Sequence, residues 1–157
     1  MTDIRQIFDD KLKYMDILLI GDEQEDMVLK YLDKSELFIL EDDGSVIGVC
    51  AVTDEGNGVC ELKNISVKPE YQRHGYGKLL VEHVISHYSE SFSTLIVGTG
   101  DSPLTVPFYE KCGFIRSHTI KNFFTENYDH PIFECGIQLI DMIYFKMELR
   151  QSSTKRN

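Results

Sequence analysis

Glu61-Leu62-Lys63-Asn64-Ile65-Ser66-Val67-Lys68-Pro69-Glu70-Tyr71 runs directly into Gln72-Arg73-His74-Gly75-Tyr76-Gly77-Lys78, and the fold is decided here. The first half reads as most of a strand over Val59 to Val67. Its alternation contains a fault: Cys60 and Leu62 share one face by period two, whereas Ile65 and Val67 fall on the other. One extra, bulged residue between Leu62 and Ile65 produces such a slip, and so does a strand covered on both faces. The second half sets two glycines between this strand and a helix. That arrangement lets successive backbone N–H groups converge on an anion, with Arg73 and Lys78 supplying charge. An ordinary glycine-rich turn reads the same way. Two nucleotide-binding patterns fail on spacing: a P-loop needs glycine at Gln72 and Ser or Thr at Leu79, and a dinucleotide fingerprint needs a small residue at Leu80.

The rest of the chain organises itself around this stretch. Ile4 to Phe8 reads as a first strand, and Lys11 to Leu19 and Glu23 to Leu32 as helices. Leu37 to Leu40 and Val46 to Val52 form a hairpin about Asp43-Gly44, and Glu55-Gly56-Asn57-Gly58 turns the chain into Val59 to Val67. Gly75 to Tyr88 is a helix with Leu80, Val84 and Tyr88 on one side, and Leu95 to Thr99 is a strand. A helix starting at Thr105 keeps Pro107 in its first turn and stops at Cys112-Gly113. Phe114 to Ile120 reads as a strand, and Ile143, Phe145, Met147 and Leu149 alternate as the last one. The order (strand, two helices, three strands, helix, strand, helix, two strands) gives an α/β or α+β fold with a mixed sheet.

Composition narrows the function. A chain of 157 residues is one domain's worth, read as residues 1–150 with a polar tail over 151–157. The net charge of -10 argues against nucleic acid as a partner and is compatible with a cationic substrate. No apolar run reaches membrane-spanning length and the N-terminus lacks a secretion signal, so a cytoplasmic location with no membrane partner is expected. Four cysteines with no CxxC spacing read as free thiols in a reducing compartment. His83 and His87 stand one helical turn apart, but Val84 occupies the place of the zinc-protease glutamate and no third ligand is evident, so no metal is expected.

The loop Gln72 to Gly77 resembles the acyl-CoA pyrophosphate loop of the GNAT superfamily of N-acetyltransferases, Gln/Arg-x-x-Gly-x-Gly/Ala. The likeness extends upstream, where Glu61 to Tyr71 resembles the family's central strand and its approach to that loop. Downstream, Phe108-Tyr109-Glu110-Lys111-Cys112-Gly113-Phe114 resembles its later helix and turn. The resemblance implies a single domain with a mixed sheet of about seven strands, flanked by about four helices and splayed at a bulged fourth strand.

It also implies chemistry. Acetyl-CoA would be the co-substrate and an amine the acceptor, with direct transfer in a ternary complex. Backbone groups of Ile65, Ser66 and Val67 would receive the pantetheine arm, and Gln72, Arg73, His74, Gly75, Tyr76, Gly77 and Lys78 the pyrophosphate. Phe108 and Lys111 would complete the cofactor side. Ser102, with Asp101 beside it, stands where the family commonly has a cofactor-contacting Asn. Glu61 would be the general base, a strand N–H such as Val67's would polarise the thioester, and Tyr109 would assist the departing thiolate. For Glu61 the competing reading is a solvated strand residue, and for Tyr109 a packing tyrosine. The aromatic and acidic segment Asn122 to Asp141 would border the acceptor or cover the core. A homodimer is compatible with the family. The alternatives are a non-catalytic acyl-CoA sensor and an enzyme acting on a protein or peptide amine.

Overall fold

The computed structural model describes residues 1–149, so the tail over 151–157 and its boundary at 150 lie outside the described residues. Seven strands form one sheet: β1 (Thr2–Ile7), β2 (Glu36–Asp42), β3 (Ser45–Gly56), β4 (Val59–Val67), β5 (Thr94–Gly100), β6 (Ile115–Ile120) and, last in the chain, β9 (Met142–Glu148). Their spatial order is β1-β2-β3-β4-β5-β9-β6, antiparallel throughout except for the parallel pair β4–β5. A separate two-stranded hairpin joins β7 (Phe133–Glu134) to β8 (Ile137–Gln138). The helices are α1 (Met15–Gly21), α2 (Glu25–Leu32), α3 (Tyr76–Tyr88), α4 (Val106–Lys111) and α5 (Phe123–Asn127). The short α5 and the β7–β8 hairpin add to the expected elements. Lys11–Tyr14 is a 3-10 turn leading into α1 instead of the first turn of one α-helix.

Local chemistry accounts for the hairpins. Asp43 and Gly44 both have positive φ, as do Asn57 and Gly58, and such pairs give the two-residue turns that match strand twist. The sheet then buries both faces. Leu37, Ile39, Val49 and Ala51 meet Ile17, Leu18, Val28 and Tyr31 from α1 and α2. Phe38, Leu40, Cys50 and Val52 meet Leu80, Val81 and Val84 from α3. Burial on both faces explains why β2 and β3 read as continuous apolar runs.

The slip in β4 is a bulge. Ala51 pairs with Asn64 and Val52 with Leu62, so Lys63 is the extra residue. Because of it, Cys60, Leu62, Ile65 and Val67 all contribute to the core on the α3 side. The bulge also marks the end of a pairing: β4 and β5 run together from Val59↔Thr94 to Leu62↔Val97 and no further. Past that point β5 continues to Gly100 alongside β9 only. The two central strands therefore part at Lys63, and a gap opens in the middle of the sheet.

One cation ties the first layer together. The Lys11 ammonium donates to the carbonyls of Leu32 and Asp33 at 3.3 and 3.0 Å, and to that of Ser35, at the C-terminal end of α2. Helix C-termini present unpaired carbonyls and partial negative charge, which a cation satisfies. Lys11→Met is expected to lower unfolding stability by roughly 1–2 kcal/mol, seen as a lower urea midpoint with unchanged slope.

Candidate active site

The gap between β4 and β5 points toward the loop that links β4 to α3. Pro69–Tyr71 forms a 3-10 turn, and the Gln72 side chain donates to the Val67 carbonyl at 2.8 Å. That bond folds the loop back on the strand end, so the Gln72 amide shapes the loop from within. Arg73 and Gly75 both adopt left-handed backbone, with φ of 66° and 86°. Gly75 is the N-cap of α3, and the first intrahelical bond runs from Leu79 N–H to the Gly75 carbonyl. The N–H groups just before Leu79 are therefore open at the helix N-terminus. Arg73, His74 and Lys78 are exposed around them, and the His74 ring shares a bond with the Tyr71 carbonyl at 3.2 Å. Gly77 lets α4 approach: a Cβ there would lie 3.2 Å from the Phe108 ring.

The second face of β4 carries different chemistry. Glu61 is 6% exposed, and its Oε2 accepts from the Tyr144 hydroxyl at 2.8 Å and pairs with the Lys63 ammonium at 3.3 Å. Lys63, two residues on, shares this face by strand alternation and lies over the Tyr31 ring, 5.6 Å from its centroid. Asn64 donates to the Leu18 carbonyl and to Tyr31 Oη, and Ser66 donates to Asn64 at 2.6 Å. Ser66 thus packs its side chain toward α1, where Gly21 leaves room for it, and only its backbone faces the gap. Tyr144 is absent from the sequence reading. An alternating strand residue carries no mark that its hydroxyl reaches a carboxylate two strands away.

Tyr109 belongs to the opposite core. It is 5% exposed and packed against Phe108, Phe114 and Phe145. Burial first, and then the nearby Cys112 and Glu134, hold its phenol well above its ordinary pKa, so it stays a proton donor at any physiological pH. The sheet separates Glu61 from Tyr109, and the gap lies between the two faces. Ser102 is buried and accepts from Leu104 N–H at 3.0 Å, shaping the turn before α4. As expected, Pro107 falls in the first turn of that helix. Lys111 is exposed in its last turn.

The segment 122–141 lies beside the α1–α2 loop. Phe124, Ile132 and Leu139 form a small core of their own, with Phe123 and Tyr128 against it. The segment is tied to the α1–α2 loop by the Tyr128 hydroxyl donating to Asp22 at 2.6 Å and by Asp129 N–H donating to Gln24 at 3.0 Å. Asp22 also accepts from Tyr31, and burial raises its pKa against the pull of both phenols and Lys63. His83 and His87 pack on Phe38 instead of converging on a ligand, and no group of three or more metal-binding side chains occurs among the described residues.

Known proteins share this architecture. A family profile described as acetyltransferase (GNAT) domain matches residues 33–116. The uncharacterized N-acetyltransferase YvbK of Bacillus subtilis strain 168 is 34% identical over 136 residues, covering 85% of this chain and 88% of its own. A GNAT family acetyltransferase from Elizabethkingia anophelis, solved with acetyl-CoA bound, superposes with a TM-score of 0.88 at 32% identity, covering 94% of this chain and 98% of its own. A Bacillus subtilis acetyltransferase in complex with CoA superposes at 0.87 with 31% identity, over 95% and 99% of the two chains. The overall fold thus recurs with the sequence likeness, and the chain belongs to the GNAT family of acetyltransferases.

Proposed function

We propose that the chain transfers an acetyl group from acetyl-CoA to the primary amine of a small molecule, directly and without an acetylated enzyme. The carrying observation is the Glu61 carboxylate, buried at the parting of β4 and β5 with an ammonium 3.3 Å away. An alkylammonium must lose a proton before it can attack a thioester, and a carboxylate at hydrogen-bond distance is the group to take it. Acetyl-CoA supplies the activated acetyl group. On this reading the backbone from Ile65 to Val67 holds the pantetheine as an added strand would pair. Arg73 to Lys78 hold the pyrophosphate, with Gln72, Ser102, Phe108 and Lys111 shaping or flanking that side. Tyr109 donates its proton to the leaving thiolate.

Direct transfer is supported by the cysteines. Burial pushes the Cys50 and Cys60 thiols up to about 12 and raises that of Cys112, which disfavours their thiolates, and the fourth, Cys135, is exposed at the turn of the β7–β8 hairpin. A small acceptor is supported by the ties from Tyr128 and Asp129 to the α1–α2 loop, which hold the segment 122–141 beside Asp22, a carboxylate within electrostatic reach of Lys63. Free cysteines and an acetyl-CoA requirement suit a cytoplasmic enzyme.

Calorimetric titration with acetyl-CoA, followed by free-thiol release across an amine panel, tests the reading. Binding with amine-dependent release supports it. Binding without release for any small or peptide amine supports an acyl-CoA sensor, and absence of binding removes the donor assignment. Gly75→Val, which forces a β-branched residue into left-handed backbone, should weaken acetyl-CoA binding by roughly tenfold in the same calorimeter. Tyr109→Phe should slow turnover by about tenfold or more while leaving the acetyl-CoA Kd nearly unchanged. Equal turnover in that variant would remove Tyr109 from the mechanism.

A further inference from the structure

Tyr144 reaches Glu61 across an intervening strand. Glu61 lies on β4 and Tyr144 on β9, with β5 between them, and neighbouring strands stand about 4.8 Å apart. The residue of β5 directly paired with Tyr144 is Gly98. A Cβ at Gly98 would lie 2.9 Å from Tyr144 Cζ and 2.6 Å from Met142 Sδ. Only the missing side chain there lets the phenol lie flat across β5 and end 2.8 Å from Glu61 Oε2.

The other face of the ring is also held. In β6, Arg116 pairs with Phe145 and Thr119 with Ile143, so Ser117 and His118 together oppose Tyr144. This second bulge turns His118 onto the Tyr144 ring, stacked at 4.7 Å with 3° between planes. Ser117 Oγ lies 3.0 Å from His118 Nδ1. The phenol is thus clamped between a glycine backbone and an imidazole.

Both donors to Glu61, Tyr144 Oη and Lys63 Nζ, meet the same oxygen, Oε2. Among the described residues none bonds Oε1. We propose that Tyr144 is a positioning residue for acyl transfer: clamped over Gly98 by His118, it fixes the Glu61 carboxylate through Oε2 and leaves Oε1 to take the acceptor's proton. This rests on the reading of Glu61 as the base. Burial and the Glu61 charge keep the phenol protonated, so it remains a donor throughout turnover. Besides Lys63, which pairs with Glu61, the ionisable groups near its two donors are His118 on β6 and Glu55 toward the end of β3, beside Tyr144, and Tyr31 on α2 and Asp22 in the α1–α2 loop, beside Lys63. None of these lies between Tyr144 and Glu61.

The test is steady-state kinetics of the full chain with acetyl-CoA and its best amine. Tyr144→Phe keeps the ring and its packing and removes only the donor. It should lower kcat roughly ten- to a hundredfold, with the acetyl-CoA KM changed by less than about twofold. Gly98→Ala, which displaces the ring but retains the hydroxyl, should reproduce the loss, and the double variant should be no slower than Tyr144→Phe alone. Wild-type kcat in Tyr144→Phe, or a loss that appears in the acetyl-CoA KM instead of kcat, overturns the proposal. Glu61→Gln separates the two readings: impaired Glu61→Gln beside unimpaired Tyr144→Phe removes the positioning role alone, and unimpaired Glu61→Gln removes the base and the positioning role together.

Discussion

A β-bulge at Lys63 sets the geometry of everything that follows it in β4. Its extra residue has a cost, since it breaks the ladder and leaves backbone groups without partners. In return the strand keeps Cys60, Leu62, Ile65 and Val67 in one core although their spacing in the sequence puts them out of phase. It also ends the β4–β5 pairing at Leu62↔Val97. Without the parting, Ile65 to Val67 would pair with β5 and offer nothing to a ligand. Glu61 and Tyr109 would then stand on opposite sides of a closed sheet.

The charges divide along the same line. The chain carries a net charge of -10, yet Arg73 in the loop before α3 and Lys78 in its first turn are exposed beside a helix N-terminus with no side-chain cap. That local reversal of sign suits a polyanion. On the other face, Tyr31 and Tyr128 bond Asp22 and Tyr144 bonds Glu61, and Lys63 is the single ammonium bonded to Glu61 among the described residues. Carboxylates and aromatic faces suit a cation. The sheet keeps the two environments apart, and the gap is where an acetyl group would pass from one to the other.

Much of this was legible in the sequence, for reasons that can be named. The turns at Asp43-Gly44 and Asn57-Gly58 use residues that favour positive φ, so their hairpins announce themselves. The bulge showed as a break in period because β4 has apolar residues on both sides of it. The hairpin at Cys135-Gly136 uses the same positive-φ pair, with φ of 53° and 75°, but cysteine in the first place hides it. The five-residue α5 is too short for a period to be read. At the site, Glu61, Tyr109 and the glycine loop could be picked out because they fall within recognisable motifs. Tyr144 could not, because its role depends on Gly98 and His118, which are far from it in sequence and meet it only through strand register. Gln72 and Ser102 were legible as positions but not as partners: their side chains turn inward, to the Val67 carbonyl and to Leu104 N–H.

The claim that the parted strands form the donor site is tested most directly by amide hydrogen exchange, comparing the full chain with and without saturating acetyl-CoA. The account predicts slowed exchange at Ile65 to Val67 and at Gly75 to Lys78, with β1 and β2 unchanged. Protection confined to other segments, with β4 beyond Lys63 exchanging as fast as in the free chain, would contradict it.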